Sequence, residues 1–189
     1  MTEPIRGLKP IDDPYYRYQM SKMDVRKERT KVSIINIEKI TKDLKVPSSD
    51  IIITYIGKKM SAKPKVERSG KNINSTRVIF ALNTDPSVVE QTIYHFIEAF
   101  VLCPTCALPE LTYDTNAKKT NLTISCNACG HSSPIKADKN TESTVRKFLQ
   151  VLTDADGKSK KDGICGIRNP LDMLLEEQER ENDMMSGFS

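Results

Sequence analysis

Four cysteines stand in two pairs, Cys103-Pro-Thr-Cys106 and Cys126-Asn-Ala-Cys129, with nineteen residues between the pairs. Two intervening residues let both thiolates of a pair reach one ion. Nineteen more make a hairpin that brings the second pair back to complete a tetrahedron. Sulfur fills all four positions and leaves none for water, so the expected chemistry is a structural zinc ion, not a catalytic one. Two disulfides or a thioredoxin-like redox pair are the competing readings, although a redox site needs only one pair. His131, just past Cys129 and Gly130, could replace a thiolate, and Cys165 stands alone as an incidental thiol.

Charge supplies the second candidate chemistry. The 189 residues carry a net +4, but residues 171–189 hold six acids against Arg180 alone, leaving 28 basic and 19 acidic residues in 1–170. Two basic clusters stand out, Lys22, Arg26, Lys27, Arg29, Lys31 and then Lys58, Lys59, Lys63, Lys65, Arg68, Lys71. Such clusters suit a phosphate backbone, and Arg26, Lys27, Arg29, Lys58 and Lys59 are the candidate RNA contacts; a solvated surface is the plainer reading. Gly157-Lys158-Ser159 lacks the glycine five residues earlier, where Leu152 sits, that a phosphate loop needs. Asp154 and Asp156 start a calcium-type loop whose sixth place is Ser159, not glycine. No serine–histidine–acid or paired-carboxylate arrangement can be argued, so no enzyme is expected. There is no apolar run of membrane-spanning length and no signal-type N-terminal stretch, which points to a cytoplasmic or nuclear protein without a membrane partner.

The elements that must position these residues can be read from periodicity. Residues 1–20, with several prolines and tyrosines and no helical period, read as an extended arm. Residues 32–37, 50–56 and 76–82 are rich in β-branched residues and read as strands, with a short helix at 38–46 stopped by Pro47. Asp85 with Pro86 opens the best helix, or Ser87 with Glu90 caps it, and Val89, Ile93, Phe96, Ile97 and Phe100 give it one apolar face. That helix runs directly into Cys103, which joins the metal module rigidly. Short strands at 111–114 and 121–125, a helix at 144–152, a linker at 153–163 and an acidic helix at 171–181 complete the reading. The expected fold is α+β: a small mixed sheet with two covering helices, joined to a zinc ribbon. Its divisions are an arm (1–20), the α+β domain (21–100), ribbon and following helix (101–152), and linker with acidic segment (153–189).

Three stretches together resemble the N-terminal half of the eukaryotic translation initiation factor 5 family. Asp13-Pro-Tyr-Tyr-Arg-Tyr-Gln-Met20 is similar to that family's Asp-x-Phe-Tyr-Arg-Tyr-Lys-Met opening. Phe100-Val-Leu-Cys-Pro-Thr-Cys106 and Cys126-x-Ala-Cys-Gly130 are similar to the two halves of its ribbon, and the resemblance covers about residues 12–150.

The resemblance implies a GTPase-activating protein for initiation factor 2, working on the small ribosomal subunit during start-codon selection. Initiation factor 2, small-subunit RNA, initiator tRNA and other initiation factors are the implied partners. Arg17 holds the place of the family's proposed arginine finger, and Lys31 that of a lysine before the first strand. A second family lysine is replaced by Thr54, ahead of Tyr55-Ile-Gly57, and a Gly/Asn-rich loop is here Arg26-Lys-Glu-Arg-Thr30. The family's helical C-terminal domain is not among these residues. Two rivals remain: the β subunit of initiation factor 2, which shares domain and ribbon but lacks the Tyr-Arg-Tyr arm, and a nucleic-acid-binding ribbon of transcription type.

Overall fold

The computed structural model describes residues 2–68, 76–115, 121–135, 137–139 and 141–159. Two short strands, β1 (Thr2–Pro4) and β2 (Gln19–Ser21), pair antiparallel and close the arm into a loop. The arm is extended, as its prolines require, but its ends are anchored because Ile5 and Met20 are buried in the main core. The central sheet holds β3 (Val25–Glu28), β4 (Lys31–Ile34), β5 (Pro64–Arg68) and β6 (Thr76–Phe80) in the order β3-β4-β6-β5.

Its pairings are all antiparallel rather than mixed. The reason lies in residues 50–56, expected as a strand and found inside helix α2 (Ser49–Lys59). Ser48 caps that helix by accepting the Asp50 N–H, Asp50 sits in its first turn, and Lys58 and Lys59 close its last. Ile51, Ile52, Ile53, Tyr55 and Ile56 are all buried, so tertiary packing overrides the β preference of an isoleucine run. Helices α1 (Ile37–Asp43) and α3 (Pro86–Phe96) complete three covering helices where two were expected. Val32, Ile34, Val78 and Phe80 alternate onto the helix-facing side of the sheet and are fully buried.

Past Phe96 the long helix changes pitch. Residues Ile97–Val101 form a π turn, and Leu102, already extended, donates its N–H to Ile97 and delivers the chain to Cys103. The ribbon is a three-stranded antiparallel sheet of β7 (Leu111–Thr115), β8 (Leu122–Cys126) and β9 (Ser132–Pro134). Helix α4 (Glu142–Ser159) follows. It runs on through Ser159, over more than half of the segment expected as a linker (153–163), because once a helix is nucleated each further residue adds a hydrogen bond at little cost. The acidic segment 171–189 and Cys165 lie outside the described residues.

The α+β layer and the ribbon share one core within a compact unit that ends at Thr153. Rings join them in series: Tyr55 to Phe96 at 5.4 Å, Phe96 to Phe100 at 5.3 Å, Phe100 to Phe148 at 5.6 Å and Phe148 to Tyr113 at 4.8 Å. Leu122 of the ribbon belongs to the same buried cluster. Among the described residues, no helix is long and apolar enough to cross a membrane.

Candidate functional site

The two cysteine pairs meet where the sequence spacing put them. All four Sγ atoms lie within 4.8 Å of one another, with Cys103 to Cys129 at 3.6 Å and Cys106 to Cys126 at 3.7 Å. A disulfide would need about 2.05 Å, whereas a tetrahedron of Zn–S bonds near 2.3 Å puts its sulfurs about 3.8 Å apart. Each pair is a tight turn. Ala107 donates its N–H to the Cys103 carbonyl and Gly130 to that of Cys126. Both residues have positive φ, 55° and 72°, so the second turn uses the residue that tolerates this conformation and the first does not. His131 turns its ring to Ser133 at 3.2 Å and contributes only its backbone, the carbonyl accepting the Cys126 N–H.

The thiols are not independent. Burial works against ionisation of Cys103, but the N–H groups of Cys106 and Thr105 and the Cys129 and Cys106 thiols pull it down to about 6. Cys106 is pushed up to about 12, because desolvation and the three other thiols outweigh the Leu108 N–H that favours its thiolate. Four sulfurs this close cannot all ionise without a cation among them. The donor set therefore fits a metal ion held by Cys103, Cys106, Cys126 and Cys129.

Arg17 lies on the closed arm loop, with its guanidinium exposed. It donates to the Tyr18 hydroxyl at 3.2 Å and lies 5.2 Å from the centre of that ring. The Tyr18 hydroxyl and, more weakly, the Glu110 carboxylate hold it charged. Glu110, in the ribbon, pairs with Lys45, just past α1, at 3.6 Å. Sequence reasoning missed Lys45 and Glu110; as single charges they carry no pattern. Lys31 sits elsewhere, exposed at the start of β4, where its charge acts on Glu67. Arg17 and Lys31 share no hydrogen-bond or ion-pair partner among the described residues.

The candidate RNA contacts divide in two. Arg26 is held by both oxygens of Asp24 at 3.0 Å, and Lys27 by Asp85 at 3.0 Å. Arg29, Lys58 and Lys59 are exposed and have no ion pair among the described residues. The β3–β4 hairpin turns through Arg29 and Thr30, with φ 48° at Arg29. Positive φ at the first residue of a two-residue loop is the place where a type II′ turn prefers glycine, and here an arginine occupies it.

The sequence model of a family described as a domain found in initiation factors 2B and 5 matches residues 9–132, a span that holds Arg17 and its flanking tyrosines, the central sheet and the four paired cysteines. The chain belongs to this family. Eukaryotic translation initiation factor 5 of Saccharomyces cerevisiae is 27% identical over 139 residues, covering 71% of this chain and 33% of that protein. The Mus musculus protein of the same name is 28% identical over 125 residues (64% and 28%), and that of Drosophila melanogaster 24% over 158 residues (81% and 33%). The chain thus spans about a third of the length of the curated relatives it matches. Where the resemblance implied a family lysine, this chain has Thr54. Thr54, half-buried on α2, instead turns its hydroxyl back to the Asp50 carbonyl at 2.7 Å. Helix α4 lies beyond the matched span.

Proposed function

We propose that this chain is a translation initiation factor that stimulates GTP hydrolysis by initiation factor 2, bound with initiator tRNA to the small ribosomal subunit, during start-codon selection. The observation that carries the reading is Arg17: an exposed guanidinium on an anchored loop, bonded to the Tyr18 hydroxyl and, among the described residues, to no carboxylate, in a chain of the initiation factor 2B and 5 domain family. An arginine presented in this way can enter a partner's active site and neutralise charge developing on the γ-phosphate, worth about 10³–10⁵ in rate in other GTPases. The catalytic pocket is the partner's, so this chain supplies a group and is not itself the enzyme. Lys31 is a supporting cation at most, since it lies on another element.

Zinc is the ion proposed for the four cysteines; when bound it supplies a crosslink between the two turns and no reactive position. Arg29, Lys58 and Lys59 are the proposed contacts to ribosomal RNA or tRNA, with Arg26 and Lys27 already neutralised by acids. A cytoplasmic location follows from translation. GTP hydrolysis by purified initiation factor 2–GTP–initiator tRNA on small subunits tests the reading, and added chain should accelerate it. Stable association with the GTPase subunit without acceleration would instead identify a β subunit, and nucleic-acid binding alone a ribbon of transcription type.

A further inference from the structure

The residues around Arg17 form a closed circuit. The Ile5 N–H donates to the Tyr18 carbonyl at 3.0 Å. The Tyr16 hydroxyl donates to the Ile5 carbonyl at 2.6 Å, and its ring meets that of Tyr18 edge-on at 5.5 Å. Ile5 itself is buried in the core, so both tyrosines are tied through it to the body of the protein. Arg17 lies between them in sequence and donates to the Tyr18 hydroxyl, its one side-chain hydrogen bond among the described residues. An unsupported arginine at such an exposed place would spread over many rotamers and lose entropy on entering a partner's site.

We propose that Tyr16 and Tyr18 are positioning residues that clamp Arg17 before it meets its partner, with the Tyr18 hydroxyl as the contact and Tyr16 as the brace. The clamp rests on the reading of Arg17 as an arginine supplied to the GTPase. A preset guanidinium reaches the γ-phosphate without ordering at the moment of reaction, so the clamp acts on the rate constant more than on docking. Tyr18→Phe is the direct probe, because it keeps the ring and the edge-on contact and removes only the hydroxyl.

Two measurements on the full chain decide the matter. In single-turnover GTP hydrolysis with initiation factor 2 complexes, Tyr18→Phe should lower the rate at saturating chain by about three- to tenfold, the worth of one hydrogen bond. The half-saturating concentration should stay within about twofold. Combined with Arg17→Ala it should cost nothing further, because the clamp acts only through Arg17. In the free chain, NMR relaxation at the Arg17 Nε should report an ordered side chain that becomes mobile in Tyr18→Phe and in Tyr16→Phe. An unchanged rate in Tyr18→Phe beside a collapsed rate in Arg17→Ala would overturn the clamp and leave the arginine finger standing. Full stimulation by Arg17→Ala would overturn both. An Arg17 Nε equally mobile in all three chains would also overturn the clamp, whatever the kinetics.

Discussion

The Tyr113 hydroxyl donates to the Phe100 carbonyl at 2.9 Å, so a ribbon residue caps the end of the helix that leads into the ribbon. The last carbonyls of a helix lack partners within it, and here the pitch change at Ile97–Val101 presents one of them to the incoming strand β7. Tyr113→Phe would leave that acceptor unpaired beside Phe148. It should cost about 1–3 kcal/mol, read as a lower urea midpoint at constant m value. An unchanged midpoint would mean that water replaces the bond.

One zinc per chain should copurify with the protein. Zinc bound by thiolates contributes apparent free energy on the order of 10 kcal/mol in small modules. Cys126→Ser should therefore loosen strands β7–β9, and the loss should reach Phe148, which packs on Tyr113, while the buried face of the central sheet survives. Metal analysis of chelator-free protein, with amide exchange to locate the damage, checks both halves. Absence of zinc would refute the assignment.

Alkali should release the arm. Burial, reinforced by Tyr18, pushes the Tyr16 phenol up to about 12 from its usual 10.0. The folded state thus holds this proton more tightly than the unfolded chain does. The stability it confers is complete below about pH 10 and is lost as pH rises towards 12. The phenolate also cannot donate to the Ile5 carbonyl. Phenolate absorbance should show a late component that Tyr16→Phe reduces but does not abolish, because burial pushes the Tyr113 phenol up as well; an unreduced late component in that variant would contradict the shift at Tyr16.

Salt dependence should separate the two groups of cations. Arg29→Ala and the pair Lys58→Ala with Lys59→Ala should each flatten the fall of small-subunit affinity with salt, by about one unit of slope or somewhat less for each phosphate no longer neutralised. Lys27→Ala should change it little, since Asp85 already holds that ammonium. Equal effects at Lys27 and Arg29 would show that the ion pairs open on binding.

The four-cysteine cluster was the most legible part of the sequence, because a candidate ligand set is read from residue type and spacing alone. The helix from Pro86 and its passage into Cys103 were legible too, from an apolar face that keeps period through Phe100. Residues 50–56 misled because Ile-Ile-Ile suits a strand locally, while burial among two helices and a sheet is decided by distant residues. The N-cap Ser48, with Asp50 in the first turn, was the available signal. Strand β9 is three residues long and has no pattern of its own; it forms because β8 offers an edge. The Ile5–Tyr16–Tyr18 circuit was illegible for the same reason, as it depends on β1 folding back on β2.

Arg17→Ala gives the most direct test of the proposed function. At saturating chain, its stimulation of GTP hydrolysis should fall almost to the unstimulated rate while its affinity for the initiation complex stays near normal, because a finger acts on charge present only in the transition state. Arg17→Lys should restore little, since an ammonium lacks the planar fork that spans two phosphate oxygens. Full stimulation by Arg17→Ala, or a loss traced entirely to weaker binding, would contradict the arginine finger and leave the arm as a docking element.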